Sequence, residues 1–221
     1  MDRDSPLRSY FLGRPGRVGF LPRMGISLVF TGLLTAGYHI IARVVTPTSI
    51  DLTTAFDRAV PFVPWTVWFY VPLYALVFLV PLLVVDDWRY FGRMALLLTA
   101  TAVPGGLVHL LLPIEIDRPS APEGPGLTLL MLRSVYATDP PVNTFPSLHV
   151  AMATSMTIAA FGLGRRVGAI TLLFTALMTV SVLTLKQHFL ADIFGGWALS
   201  AFAAWASRRR GADRTGPGLW P

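Results

Sequence analysis

The chain contains no cysteine. Neither a disulfide framework nor a thiolate metal site is open to it. It has one lysine, Lys186; the other seventeen basic residues are all arginine. Charged residues make up only 14% of the 221, while 53% are hydrophobic. So few charges cannot coat a soluble domain, and the composition points instead to a polytopic membrane protein. The acids form no carboxylate cluster of the kind that holds Mg²⁺. Met1–Arg23 lacks the short apolar core and small-residue cleavage site of a signal peptide. It reads as a basic interfacial segment. No repeat or low-complexity tract stands out.

What is present is a series of long apolar runs. A helix that crosses a bilayer needs about 20 apolar residues. Six segments meet the pattern, near Met24–Val45, Phe62–Val85, Met94–Ile114, Ser147–Leu163, Val167–Leu185 and His188–Ala206. The expected fold is therefore all-α, a six-helix membrane bundle over residues 24–206, with a basic tail over 207–221. Prolines 72, 81 and 104 fall inside these runs, where kinks are expected. Two connections are long. Thr46–Pro61 is expected to carry a short interfacial helix. Glu115–Pro146, rich in Pro and Gly, reads as a long functional loop or lid without obvious structure of its own.

The arginines orient the bundle. Arg3, Arg8, Arg14, Arg17 and Arg23 precede the first run. Arg89 and Arg93 lie between the second and third, and Arg165 and Arg166 between the fourth and fifth. Arg208, Arg209, Arg210 and Arg214 follow the sixth. With six crossings these thirteen fall on one side, which the positive-inside rule makes cytoplasmic together with both termini. A net charge of +6 thus reflects membrane orientation. It is not a nucleic-acid footprint, because the arginines sit at the ends of apolar runs and share no face.

The chemistry collects at the opposite side. In Lys186-Gln187-His188-Phe189-Leu190-Ala191-Asp192, a helical reading puts His188 and Asp192 at i and i+4, on one face. A carboxylate behind an imidazole fixes its tautomer and raises basicity at the other nitrogen. Asn143-Thr144-Phe145-Pro146-Ser147-Leu148-His149 opens another helix, since Pro followed by Ser before an apolar run is a start signal. Two crossings separate His149 from His188, so both emerge on the same side. A helix start offers N–H groups to a phosphate oxygen. The Ser147 hydroxyl either adds a donor there or serves as a plain N-cap. Arg118, in the long loop, suits planar recognition of phosphate oxygens or is a solvated loop charge. Arg133 and Glu115 are weaker candidates of the same kind. His109 and His39 read as polar groups at the interface.

With these residues in place, the sequence resembles the type 2 phosphatidic acid phosphatase superfamily. Pro146-Ser147-Leu148-His149 matches its Pro-Ser-x-His element. His188 and Asp192 match the His-x-x-x-Asp element, with Ser181 at its serine position. Arg118-Pro119 matches the end of its Lys…Arg-Pro element. Two cations of the family pattern are replaced, by Val182 and by Leu111. Those departures, the Phe-Pro-Ser-Leu-His form and Pro61-Phe62-Val63-Pro64-Trp65 are similar to the inositol phosphorylceramide synthase-like branch.

The resemblance implies an enzyme that attacks a lipid phosphoester at the extracytoplasmic face, and the arginine-heavy, lysine-poor composition points to the plasma membrane. It implies His188 as nucleophile, Asp192 as its orienting partner and His149 as proton donor and acceptor. It also implies Ser147, Leu148, Arg118 and Lys186 in substrate binding, with no metal and no cofactor. The expected partners are a membrane lipid and the bilayer. A proton-coupled transporter using His188 and Asp192 as a relay is the alternative. Its polar residues would be expected near the midplane, whereas here they crowd one end.

Overall fold

The structure is a computed structural model that describes residue 10 and residues 12–212. Arg3, Arg8 and Arg214 lie outside the described residues. Among the latter, the chain is mostly helical, with almost no strand. A two-stranded antiparallel hairpin comes first, β1 (Gly13–Arg14) with β2 (Arg17–Val18). Nine α-helices follow: α1 (Phe20–Val44), α2 (Ala55–Ala59), α3 (Val67–Tyr70), α4 (Pro72–Val84), α5 (Trp88–Leu111), α6 (Leu127–Thr138), α7 (Leu148–Leu163), α8 (Arg165–Thr184) and α9 (Leu190–Ala212). Three of them, α1, α5 and α8, are by themselves long and apolar enough to cross a membrane. Large apolar side chains face outward along the rods, Leu33 on α1, Leu173 on α8 and Phe202 on α9 among them. A surface of that kind is stable in hydrocarbon and not in water, as befits a membrane protein.

Helix α7 is the central rod. Ten of its residues are buried, and it packs against α4, α5, α8 and α9. Its buried positions are small or flexible (Ala151, Ala153, Ser155, Met156, Ala159, Ala160), so neighbouring backbones come close. Hydroxyls stitch the contacts. Ser155 bonds Thr101 of α5 at 2.8 Å and Ser200 of α9 at 3.0 Å, and Thr157 bonds Thr175 of α8 at 2.8 Å. Gly196 of α9 sits against the start of α7, where a Cβ would meet the Ser147 carbonyl at 2.7 Å.

Both ends of the bundle are tied. At one end the hairpin docks on the α4–α5 connection: Val18 donates to the Asp86 carbonyl at 2.7 Å, Arg17 pairs with Asp86, and buried Arg23 donates to the Val85 carbonyl at 2.9 Å. Asp87 caps α5 by accepting the Tyr90 N–H at 2.9 Å. At the other end Thr48 donates to the Pro113 carbonyl at 2.7 Å, and Val63 to the Thr184 carbonyl at 2.9 Å.

Several expectations are refined. The second apolar run is broken: a 3₁₀ turn at Pro64–Thr66 leads into α3, and Pro72 sits at the first position of α4, where its missing N–H is least costly. Pro81 and Pro104 stay inside continuous helices. The long loop over 115–146 is not structureless. It carries α6, whose Leu132 and Val135 are buried, a three-residue spacing that its Pro/Gly-rich flanks mask. The last helix runs past residue 206 to Ala212, and residues 213–221 lie outside the described part. Thr46–Pro61 holds α2, closed by a capping box between Thr54 and Asp57.

Candidate active site

His188 is not on a helix. It lies two residues before α9 begins, which corrects the reading of His188 and Asp192 as one helical face. They meet across the helix start. Asp192, in the first turn of α9, reaches back with Oδ2 to accept the Phe189 N–H at 2.9 Å. The same oxygen faces Nδ1 of His188 at 3.2 Å. The Thr144 carbonyl approaches that nitrogen at 3.0 Å. Both neighbours are acceptors, so Nδ1 carries the hydrogen and Nε2 keeps its lone pair.

Nε2 of His188 faces Nδ1 of His149 at 3.2 Å. His149 stands in the first turn of α7, capped by Ser147, whose Oγ accepts the Val150 N–H at 3.3 Å. The Ser147 N–H donates to the Asp192 carbonyl at 3.0 Å. That bond, together with the close approach allowed by Gly196, joins the two helix starts and brings the rings together.

The far side of His149 holds what the motifs missed. Its Nε2 lies 2.7 Å from the Tyr70 hydroxyl and 3.6 Å from Oδ2 of Asp139. Tyr70 donates to that same carboxylate oxygen, and Tyr38 donates to the other at 2.6 Å. The Tyr70 hydrogen is committed to Asp139, so Nε2 of His149 supplies the hydrogen between them. Nδ1 is then the nitrogen that exchanges a proton. Two ring nitrogens thus converge across 3.2 Å, with Asp192 behind one and Asp139 behind the other. Burial by itself would raise the Asp139 carboxyl. The neighbouring His149 ring and the two tyrosine hydroxyls outweigh it and hold the group below the ordinary carboxylate value. An aspartate directly after a helix in a proline-rich loop carries no spacing signal, and Tyr70 and Tyr38 are single aromatics within apolar runs.

The remaining candidates lie around this centre. Arg118 spans the loop, donating to the carbonyls of Asp139 and Tyr136, each at 2.8 Å, and to Oε1 of Gln187 at 2.7 Å, while its guanidinium stacks 4.1 Å over Tyr136. It braces the residues next to both catalytic candidates. The Lys186 ammonium points to the carbonyls of Asp57 at 2.7 Å and Val60 at 2.5 Å. Leu148 packs toward Gly105 of α5. Arg133 donates to loop carbonyls at Pro122 and Gly124. His109 is buried beside the centre and bonds the Pro146 carbonyl at 2.9 Å. Val182, where the family pattern has arginine, lies in the core. Among the described residues, no His, Asp or Glu group of three or more is arranged to hold a metal ion.

A family model described as PAP2 superfamily matches residues 73–215. That span covers more than half of the chain and includes both histidines and both aspartates, and the chain belongs to this superfamily. No curated protein and no solved structure matches it. Superfamily members are phosphatases, so the protein is a membrane enzyme of the phosphatase or phosphotransferase type.

Proposed function

We propose that this PAP2 superfamily member cleaves a phosphoester of a membrane lipid through a phosphohistidine on His188. The phosphoryl or phospho-headgroup then passes to water or to a lipid alcohol. The observation that carries the reading is the pinned ring of His188: Nδ1 is held between Asp192 and the Thr144 carbonyl, leaving Nε2 as the nucleophile.

The phosphoryl group enters the gap between the rings. Nε2 of His188 bonds to phosphorus, and the bond from phosphorus to the leaving oxygen breaks. That oxygen takes its electron pair and a proton from Nδ1 of His149. Asp192 stabilises the positive ring of the phosphohistidine, and Asp139 holds His149 oriented. In the second half His149 removes a proton from water or an alcohol, which attacks phosphorus and frees His188.

Membrane topology fits the same reading. α3 and α4 together, α7 and α9 complete six crossings with α1, α5 and α8. The site lies at the end where α7 and α9 begin, and Arg89, Arg93, Arg165 and Arg166 lie at the starts of α5 and α8. Helix α7 separates the two ends by about 24 Å at 1.5 Å per residue. The arginine end is then cytoplasmic and the site extracytoplasmic, in the plasma membrane. Replacement of the family's two cations by Val182 and by exposed Leu111 favours a phosphodiester donor, which carries less charge than a phosphomonoester. This supports the inositol phosphorylceramide synthase-like branch.

The test is single-turnover incubation of purified protein with a panel of lipid phosphomonoesters and phosphodiesters. It scores free phosphate, new phospholipid and protein-bound phosphorus. An acid-labile, base-stable adduct on His188, absent from His188→Ala, is expected. Turnover without that adduct, or substantial activity in His188→Ala, would end the covalent mechanism.

A further inference from the structure

A cavity of about 610 Å³ lies beside the site, between α1 and α5 and floored by α7. Its size is that of a small-molecule binding site. One end is polar and contains Tyr38, His109, Asp139 and His149. The rest is mainly apolar, lined by Leu33, Leu34, Ile41, Val103, Leu107 and Met152, with Thr31 and Thr35 of α1 among them. Leu33, Val103 and Leu107 are also exposed on the outer surface of the bundle, so the cavity is a groove open sideways toward hydrocarbon.

Its length is informative. Along α1 the lining runs from Thr31 to Ile41, about 15 Å at 1.5 Å per residue. That is half of the roughly 30 Å hydrocarbon core of a bilayer, or the depth of one leaflet. Gly37 of α1 is among its lining residues. A Cβ on Gly37 would meet nothing within 4 Å, because that face of α1 borders open space.

We infer that this groove holds the hydrocarbon chain of the lipid alcohol whose oxygen is bonded to phosphorus, entering sideways from the outer leaflet. The inference rests on the enzyme reading above. A polar head beside His149, continuous with an apolar trough one leaflet deep, has the pattern of a single-chain amphiphile. The groove reaches His149 and not His188. The chain-bearing oxygen is therefore the one that His149 protonates when it leaves and deprotonates when it arrives. The headgroup side of phosphorus faces away from the groove. For a phosphodiester lipid the bond broken is the one to the lipid alcohol, and the headgroup phosphate stays on the enzyme.

The test compares Gly37→Leu, which fills the groove, with Gly32→Leu, on the same helix, also in open space and not part of the groove lining. Each is assayed with a long-chain phospholipid and with a water-soluble short-chain analogue, after melting curves establish folding. Excess side-chain volume in an apolar pocket should lower the long-chain to short-chain ratio of kcat/KM about tenfold or more in Gly37→Leu and leave it unchanged in Gly32→Leu. An unchanged ratio in Gly37→Leu overturns the groove assignment while the enzyme reading stands.

A second arm does not need turnover. A phosphatidylglycerol with a diazirine in its acyl tail is photolysed with the His188→Ala protein in vesicles. Adducts within Thr31–Ile41, Ala102–Leu110 or Leu148–Met152 support the groove, and adducts confined to residues outside its lining overturn it. If the wild type has no activity on either substrate, the enzyme reading fails, and this arm alone decides the groove.

Discussion

The Asp139 carboxylate lies 3.6 Å from Nε2 of His149, and its two oxygens take the hydroxyls of Tyr38 and Tyr70. His149 is thereby held from behind as His188 is by Asp192, so the centre contains two imidazole–carboxylate pairs facing each other.

Asp139→Asn should slow phosphoenzyme formation on the order of 10²-fold, the lower end of what a general acid contributes. It should also move the alkaline limb of the single-turnover pH profile toward acid. A nearby anion favours the protonated ring, so its removal lets His149 lose the proton at lower pH. A purely structural role would lower the active fraction and leave the limb in place.

His149→Ala should cost about 10²–10⁴-fold with an alkyl leaving group. A p-nitrophenyl phosphodiester, whose leaving oxygen needs no proton, should recover much of the first step. Burst kinetics with that ester should then show adduct formation followed by slow turnover. Equal losses with both esters would remove His149 from the proton path.

Gly196→Ala tests how the rings are brought together. The new Cβ would lie 2.7 Å from the Ser147 carbonyl and 3.1 Å from Cβ of Val150, both fixed in the core. Overpacking of this kind costs about 1–3 kcal/mol, more than the roughly 1 kcal/mol that alanine gains over glycine in a helix. Thermal melting should drop by a few degrees and activity should fall with it. Gly32→Ala, in open space, should do neither.

The Asp57–Lys186 contact predicts an acid-sensitive brace. Asp57 accepts the Leu190 N–H at 2.7 Å at the start of α9, and the Lys186 ammonium holds the Asp57 and Val60 carbonyls. Burial raises the Asp57 carboxyl. The bonds from Thr54 and Leu190 and the charge of Lys186 outweigh it, leaving the group below the ordinary value. A depressed carboxylate contributes stability above its unfolded value near pH 4 and loses it as the pH falls through the folded value. Melting temperature should fall on acidification below about pH 4, with a shallower slope in Asp57→Asn. Lys186→Met should lower the melting temperature with little change in rate per folded molecule. A hundredfold rate loss with unchanged melting would put the ammonium on the substrate phosphate instead.

The apolar runs were legible because burial in hydrocarbon is a matter of composition. His149, His188 and Asp192 were legible because short motifs at helix starts carry them. Helix α6 escaped because proline and glycine at its flanks hide a short stripe of two buried leucine and valine positions. The off-helix position of His188 escaped because a four-residue spacing looks the same whether it lies along a helix or folds back across its start.

Residue types and their order alone determined a helical membrane chain of the PAP2 kind, with its histidines and aspartate at one end. Hydrophobic length and helix-start chemistry are local properties. Only the folded chain decided what stands behind His149, where Lys186 points and where a groove opens. Asp139 reaches its ring because α6 packs on α3 beside Tyr70, and the groove lies between α1 and α5 above α7. Those placements depend on contacts between segments far apart in the chain, which no local pattern encodes.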